Sequence, residues 1–162
     1  MAPSATRATD AIPHPSRPSP SLPTPPSLAR TASASVLGSL TIPGRPEHVC
    51  DARSFVEKCL AEVNSVTDVP VLLASETVTN AVLHSNSRRP GGTVTNTVVL
   101  VAGGTRIEVT DQGSDLSTPV VKGHGCVSGG HGLFLVQTLA DQWGYVRDEL
   151  GTTVWFFLPG AA

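Results

Sequence analysis

The stretch LLASETVTNAVLHSNS, residues 72–87, decides the fold. It holds no Gly or Pro, and Asp68 with Pro70 just upstream supplies a helix start signal. The pattern therefore predicts a helix. On a helix, residues four apart stand one above the other on one face. Glu76 and Asn80 then point the same way, while Leu72, Val78, Val82 and Leu83 face apolar neighbours. A carboxylate beside a neutral amide oxygen suits a site where the amide meets a hard cation and the carboxylate takes a proton or orients a nucleophile. Alone, E-x-x-x-N more often marks a solvated Glu and a half-exposed Asn. The stretches downstream decide between the two.

Working outward, residues 36–42 read as a strand closed by a Pro43-Gly44 turn. Across residues 46–63, Val49, Ala52, Phe55, Val56, Cys59, Leu60 and Val63 recur at helical spacing between charged side chains. This is an amphipathic helix with Pro46 in its first turn. After residue 87, Arg88-Arg89-Pro90-Gly91-Gly92 ends the helix and turns the chain. Residues 93–101, rich in Val and Thr, read as a strand. Ala102-Gly103-Gly104-Thr105 makes a hairpin loop, and residues 106–111 return with Ile107 and Val109 on one face. Residues 112–130 show little periodicity and hold five glycines, which reads as a lid or binding loop. Residues 133–143 form the next helix, with Leu133, Val136, Leu139 and Ala140 as its apolar stripe. A last hairpin pairs 143–147 with 152–158 around Glu149-Leu150-Gly151, and Trp143 and Trp155 read as core residues. The order β-α-α-β-β-α-β-β predicts an α+β fold: a two-layer sandwich with helices on one face of a mixed, mainly antiparallel sheet.

With 162 residues, 40% of them hydrophobic, the chain can bury one core. Residues 1–34 carry eight of the 14 prolines among Ser, Thr and Ala, so they read as a disordered tail before a domain at 35–160. A net charge of −2 gives no electrostatic case for nucleic acid or an anionic membrane. No apolar run is long enough to span a bilayer, and the N-terminus has no secretory pattern. Cys50, Cys59 and Cys126 are an odd count without zinc-ligand spacing, so a reduced, cytoplasmic protein without a dedicated metal cluster is expected.

Three features line up behind Asn80. Asp111 ends a strand before Gln112-Gly113, where the backbone can lie close to a flat ligand. Gly129-Gly130-His131-Gly132 opens into the helix at Leu133, offering N–H groups and a positive dipole end to an anion such as phosphate. Thr153 opens the last strand with a hydroxyl in reach of a ligand. Each feature has a plain structural reading as well: an ordinary turn, a tight glycine turn, a good strand former. His84 and His131 read more readily as structural than as catalytic.

In series, SETVTNAVLHS at 75–85, IEVTDQGS at 107–114, GGHGLFLVQTLADQWG at 129–144 and GTTVWFFLP at 151–159 resemble the ATP-binding (Bergerat-fold) domain of the histidine-kinase-like (GHKL) superfamily. Within it the chain is similar to the small stand-alone anti-sigma-factor serine/threonine kinases. The resemblance implies an ATP-binding regulator of transcription that phosphorylates an antagonist protein and holds a sigma factor. It implies that Asn80 holds Mg²⁺ with the ATP phosphates and that Glu76 acts as base or orienting group for the attacking hydroxyl. Asp111 would accept from the adenine amino group, with Gly113 against the ring and Thr153 supporting that end. Gly130, His131, Gly132 and Leu133 would form the phosphate-binding turn. The D-x-G-x-G motif of larger relatives is broken, since Asp115 stands at its second glycine. The lid is also short, which sets the chain apart from sensor histidine kinases. Two alternatives stay open: a non-catalytic ATP-dependent module that sequesters a partner, and an ATP-independent interaction domain. A homodimer also stays open.

The tail's composition cannot support a core, so removing residues 1–34 is expected to leave the thermal midpoint within a few degrees. Loss of cooperative unfolding in the truncated chain would show that the tail belongs to the fold.

Overall fold

The computed structural model describes residues 34–63, 65–114 and 131–160. The expected tail up to residue 33 lies outside these described residues, as do Asn64 and segment 115–130 with Asp115, Cys126, Gly129 and Gly130.

The chain runs β1 (Ser35–Pro43), a 3-10 turn (Pro46–His48), α1 (Val49–Ala61), α2 (Asp68–His84) and a second 3-10 turn (Asn86–Arg88). It continues through β2 (Thr93–Val101), β3 (Gly104–Asp111), α3 (His131–Leu139), β4 (Gln142–Asp148) and β5 (Gly151–Pro159). The strands form one sheet in the order β1-β2-β3-β5-β4, and every pairing is antiparallel. The expected α+β architecture and element order are present.

Alternation along the strands decides which face the helices cover. Val94 and Val98 on β2, Ile107 and Val109 on β3, and Phe156 on β5 are buried on the inner face. They pack against Val56 and Leu60 of α1, Leu73, Ala74, Val78 and Val82 of α2, and Val136 of α3 in two clusters. The outer face is lined by hydroxyls that pair across strands: Ser39 with Thr97 at 3.1 Å, Thr41 with Thr95 at 2.9 Å, and Thr110 with Thr153 at 2.8 Å.

Several expectations are corrected at the level of the element. α2 runs from Asp68 to His84 and does not reach residue 87, because Ser85 is extended (φ −107°, ψ 174°) and its Oγ accepts the Ser87 N–H at 3.0 Å. A serine that bonds the backbone two residues on competes with the helix ladder. The buried stripe of α2 includes Val78 and Val82, but Leu72 and Leu83 are exposed, on the stripe that carries Glu76 and Asn80. α1 starts at Val49, after the 3-10 turn that contains Pro46. α3 ends at Leu139, which is exposed, and Gln142 and Trp143 belong to β4; the Asp141 N–H already bonds to Phe157 O at 3.1 Å. The β2–β3 turn is only Ala102-Gly103, with Gly103 at φ 84°, as a two-residue hairpin turn demands. Trp143 packs with the inner core, whereas Trp155 is buried on the outer face. There it has the Arg106 guanidinium 5.2 Å from its ring, and it fills the space where a Cβ on Gly144 would stand.

Gly151 starts β5 at φ 149°, and a Cβ there would lie 1.8 Å from Asp111 O. Both the backbone conformation and the close approach require glycine. Gly151→Ala is expected to destabilise the fold by roughly 1–3 kcal/mol, read as a lower denaturation midpoint in urea. An unshifted midpoint would show that the β3–β5 junction relaxes freely.

Candidate functional site

Two turns meet at the C-terminal end of α2, and they are tied by backbone groups. The Asn86 N–H donates to Gly113 O at 2.7 Å, and the Gln112 N–H donates to Ser87 Oγ at 2.9 Å. Ser87 itself is buried, and its carbonyl lies where a Cβ on Gly44 or Gly92 would collide with it, at 1.9 and 2.1 Å. Only glycine lets the starts of β2 and of the β1–α1 connection close on this turn. Asp111, Gln112 and Gly113 are therefore held against the helix that bears Asn80.

Asp111 ends β3 on the inner face, opposite Thr152 of β5. Its Oδ1 accepts the Gly113 N–H at 2.6 Å, closing a tight turn in which Gly113 takes φ 69°. Burial pushes the Asp111 carboxyl above the ordinary aspartate range. The Gly113 N–H and the charge of Arg147 pull it part of the way back. Arg147 pairs with Thr152 across β4 and β5 and donates from Nη2 to Ser114 O, so it also pins the far side of the turn.

Thr153 is not part of this group. Strand alternation puts it on the outer face, hydrogen-bonded to Thr110, whereas the buried Thr152 shares the face of Asp111. The hydroxyl near the candidate site is that of Thr152. Sequence reasoning missed it because two threonines in a row give no sign of which one faces inward. Ser87, Asn86 and Arg147 were missed too. Nothing in their local pattern marks them.

Glu76 and Asn80 stand half-buried on α2, one turn apart as expected. The first turn of α3 comes close to Glu76: a Cβ on Gly132 would lie 3.2 Å from Glu76 O, 3.3 Å from its Cβ and 3.4 Å from Oε2. A larger residue at Gly132 would push the α3 N-terminus away from the carboxylate. Leu133 is buried in the core, so only its backbone can meet a ligand. His131 opens α3, and Gly130 lies outside the described residues. Among the described residues no group of three or more His, Cys, Asp and Glu side chains could hold a metal ion. A cation beside Asn80 would take its remaining ligands from a bound anion or water.

The geometry is thus a carboxylate and an amide on one helix, a glycine-containing helix start beside the carboxylate, and a half-buried acid at a glycine turn. A family model described as the histidine kinase-like ATPase domain matches residues 42–158, well over half of the chain. No curated protein matches. Among solved structures, that of the RsbU and RsbW domains of Rv1364c from Mycobacterium tuberculosis is similar, with a TM-score of 0.56 at 20% identity. The match covers 77% of this chain and 33% of that one, so this chain spans about a third of that protein's length. At that identity the likeness is one of fold.

The raised Asp111 pKa has a thermodynamic consequence. An acid whose folded-state pKa exceeds its unfolded value works against folding at pH above the folded value. This penalty disappears as pH falls below the ordinary aspartate value of about 3.9. Asp111→Asn keeps an oxygen for the Gly113 N–H and removes the charge. It is expected to raise the thermal midpoint of the ligand-free protein near neutral pH, with the gain fading as the medium becomes acidic. A lower midpoint at neutral pH would mean that the carboxylate stabilises the fold.

Proposed function

The chain belongs to the histidine kinase-like ATPase domain family, and we propose that it binds ATP with Mg²⁺ and acts as an anti-sigma-factor-type serine/threonine protein kinase on an antagonist protein. The observation that carries this reading is the approach of the α3 N-terminus to Glu76, on the helix face that also presents Asn80. A helix start with glycine at its second residue offers N–H donors to phosphate, and the nearby carboxylate lies within reach of a hydroxyl attacking that phosphate.

The roles follow from position. Asp111 accepts from the adenine amino group, where guanine would present a second acceptor, and Gly113 leaves room for the ring. Asn80 is the protein ligand for Mg²⁺, which supplies charge neutralisation across the phosphates when bound. Glu76 takes the proton from the acceptor serine or threonine as its oxygen bonds to the γ-phosphorus. The bond to the β-phosphate oxygen breaks and ADP leaves. Positioning and charge do most of this work. The reading places the chain in a partner-switching system, in which it holds a sigma factor and is released by the antagonist. No helix among the described residues is long and apolar enough to cross a membrane.

Retention of Glu76 favours a kinase over a non-catalytic binding module, since binding alone needs only Asn80, Asp111 and the glycines. Two variants separate these readings. Asn80→Ala is expected to weaken ATP binding and remove most of its Mg²⁺ dependence, as read by calorimetry. Glu76→Gln is expected to bind MgATP like the unmodified chain, while transfer from γ-labelled ATP to an antagonist falls by roughly 10²–10⁴. MgATP binding without any labelled antagonist would favour the sequestering module. Transfer at an unchanged rate in Glu76→Gln would remove Glu76 from the role of base.

A further inference from the structure

Behind the turn that holds the Asp111 loop lies an open pocket of about 310 Å³, lined by Arg45, His48, Arg89, Pro43, Gly91 and Gly92. It is built where the β1–α1 and α2–β2 connections come together, joined by the Gly44 N–H donating to Gly92 O at 2.9 Å. Gly92 also packs against the Ser87 carbonyl, so one buried turn adjoins both the pocket wall and the candidate nucleotide loop. Two of the residues that line it are arginines and a third is a histidine, in a chain whose net charge is −2. Acidic groups stand at the rim: Glu47 is 4.0 Å from Arg45, and Asp51 is 2.9 Å from His48 Nδ1. The Arg45–Glu47 pair is exposed, with side-chain accessibilities of 68% and 63%. An exposed pair at that distance holds its partners weakly, so another anion can take its place.

We propose that this pocket docks a carboxylate side chain presented by an acidic segment of a protein partner. Arginine forks match carboxylates in a bidentate manner, and glycine walls leave the backbone open to close approach. A free ion would gain little from exposed arginines in water. The same carboxylate on a peptide also covers Pro43 and the stems of the arginines, which adds apolar contact to the ion pairs. The proposal extends the reading that the chain works by holding a protein partner, but it does not depend on nucleotide binding.

The test uses the full chain without nucleotide and a short fluorescein-labelled peptide rich in Asp and Glu, followed by anisotropy. Arg45→Glu and Arg89→Glu are expected to weaken peptide binding by about tenfold or more each. Lys58→Glu changes net charge equally on the exposed side of α1 and is expected to leave binding within about twofold. The amide resonances of Gly91 and Gly92 are expected to shift on addition of the peptide but not of inorganic phosphate or free glutamate at the same concentration. Equal losses in all three variants would reduce the attraction to net charge and overturn the pocket. Equal shifts with the free anions would overturn the partner and leave a simple ion site. A peptide that fails to bind the unmodified chain, while MgATP binds, would overturn this inference alone. Failure of MgATP with intact peptide binding would instead overturn the kinase reading.

Discussion

Ser87 is the point on which the candidate site depends. It is buried, its hydroxyl takes the Gln112 N–H, and its neighbour Asn86 donates to Gly113 O. These two bonds tie the end of the longest helix to the end of the central strand. Asp111 itself is held by the pairing of β3 with β5, and these bonds fix the Gln112-Gly113 turn that follows it against the end of α2. Functional groups need support from neighbours that are themselves fixed by packing. Here the support is a 3-10 turn between two glycines, Gly44 and Gly92, neither of which leaves room for a side chain. The helix must stop at His84 for this turn to exist, which makes the break in α2 as important as the helix itself.

The second tie is at the other end of the site. Gly132 allows the α3 start to approach Glu76, so the carboxylate has a helix N-terminus on one side and Asn80 one turn along. A carboxylate near a positive dipole end is itself favoured there, and a phosphate entering the same place would compete with it for N–H donors. An incoming anion must therefore bring its own positive charge. Asn80 is suited to place that charge, since a neutral amide adds a ligand without adding repulsion. In the proposed site the two side chains would divide the work, because one is charged and the other is not.

Much of the fold was legible because its signals were local. The apolar spacing of α1 and α2, the Val/Thr run of β2 and the turn glycines each fix an element without reference to the rest. Legibility failed where tertiary contacts chose between equal local options. Val154, Trp155 and Phe156 are all buried, so β5 has no alternation to show which of Thr152 and Thr153 faces inward. Trp155 hides on the outer face under Arg106, a contact that pairing alone creates. The end of α2 was misplaced because His-Ser-Asn-Ser contains no strong helix breaker. The serine that stops the helix does so through a bond to its own turn. The candidate site residues Glu76, Asn80, Asp111 and Gly113 stand out by motif order, whereas Ser87 and Arg147 act through backbone contacts that no motif spells out.

The two faces of the sheet carry their polar groups in different ways. On the outer face, the strand hydroxyls pair with one another from β1 across to β5. Arg106 and Glu108 add an ion pair to the same face. Yet the buried Arg106 Nε and Trp155 Nε1 have no hydrogen-bond partner there, so the outer face carries such conflicts as the inner one does. On the inner face, Asp111 is held above its ordinary pKa by burial, and Asn96 is fully buried with neither amide atom hydrogen-bonded. Asn96 pairs with Val109, two residues from Asp111, so both uncomfortable groups lie towards one end of one face. A sequence selected for stability alone would replace such groups with apolar ones, since a buried polar atom without a partner costs about 1–3 kcal/mol. Conflicts of this kind gather where a fold gives up stability to meet a ligand. Of these groups, Asp111 is the one that stands at the Ser87 turn, beside the glycine at which the chain leaves the strand.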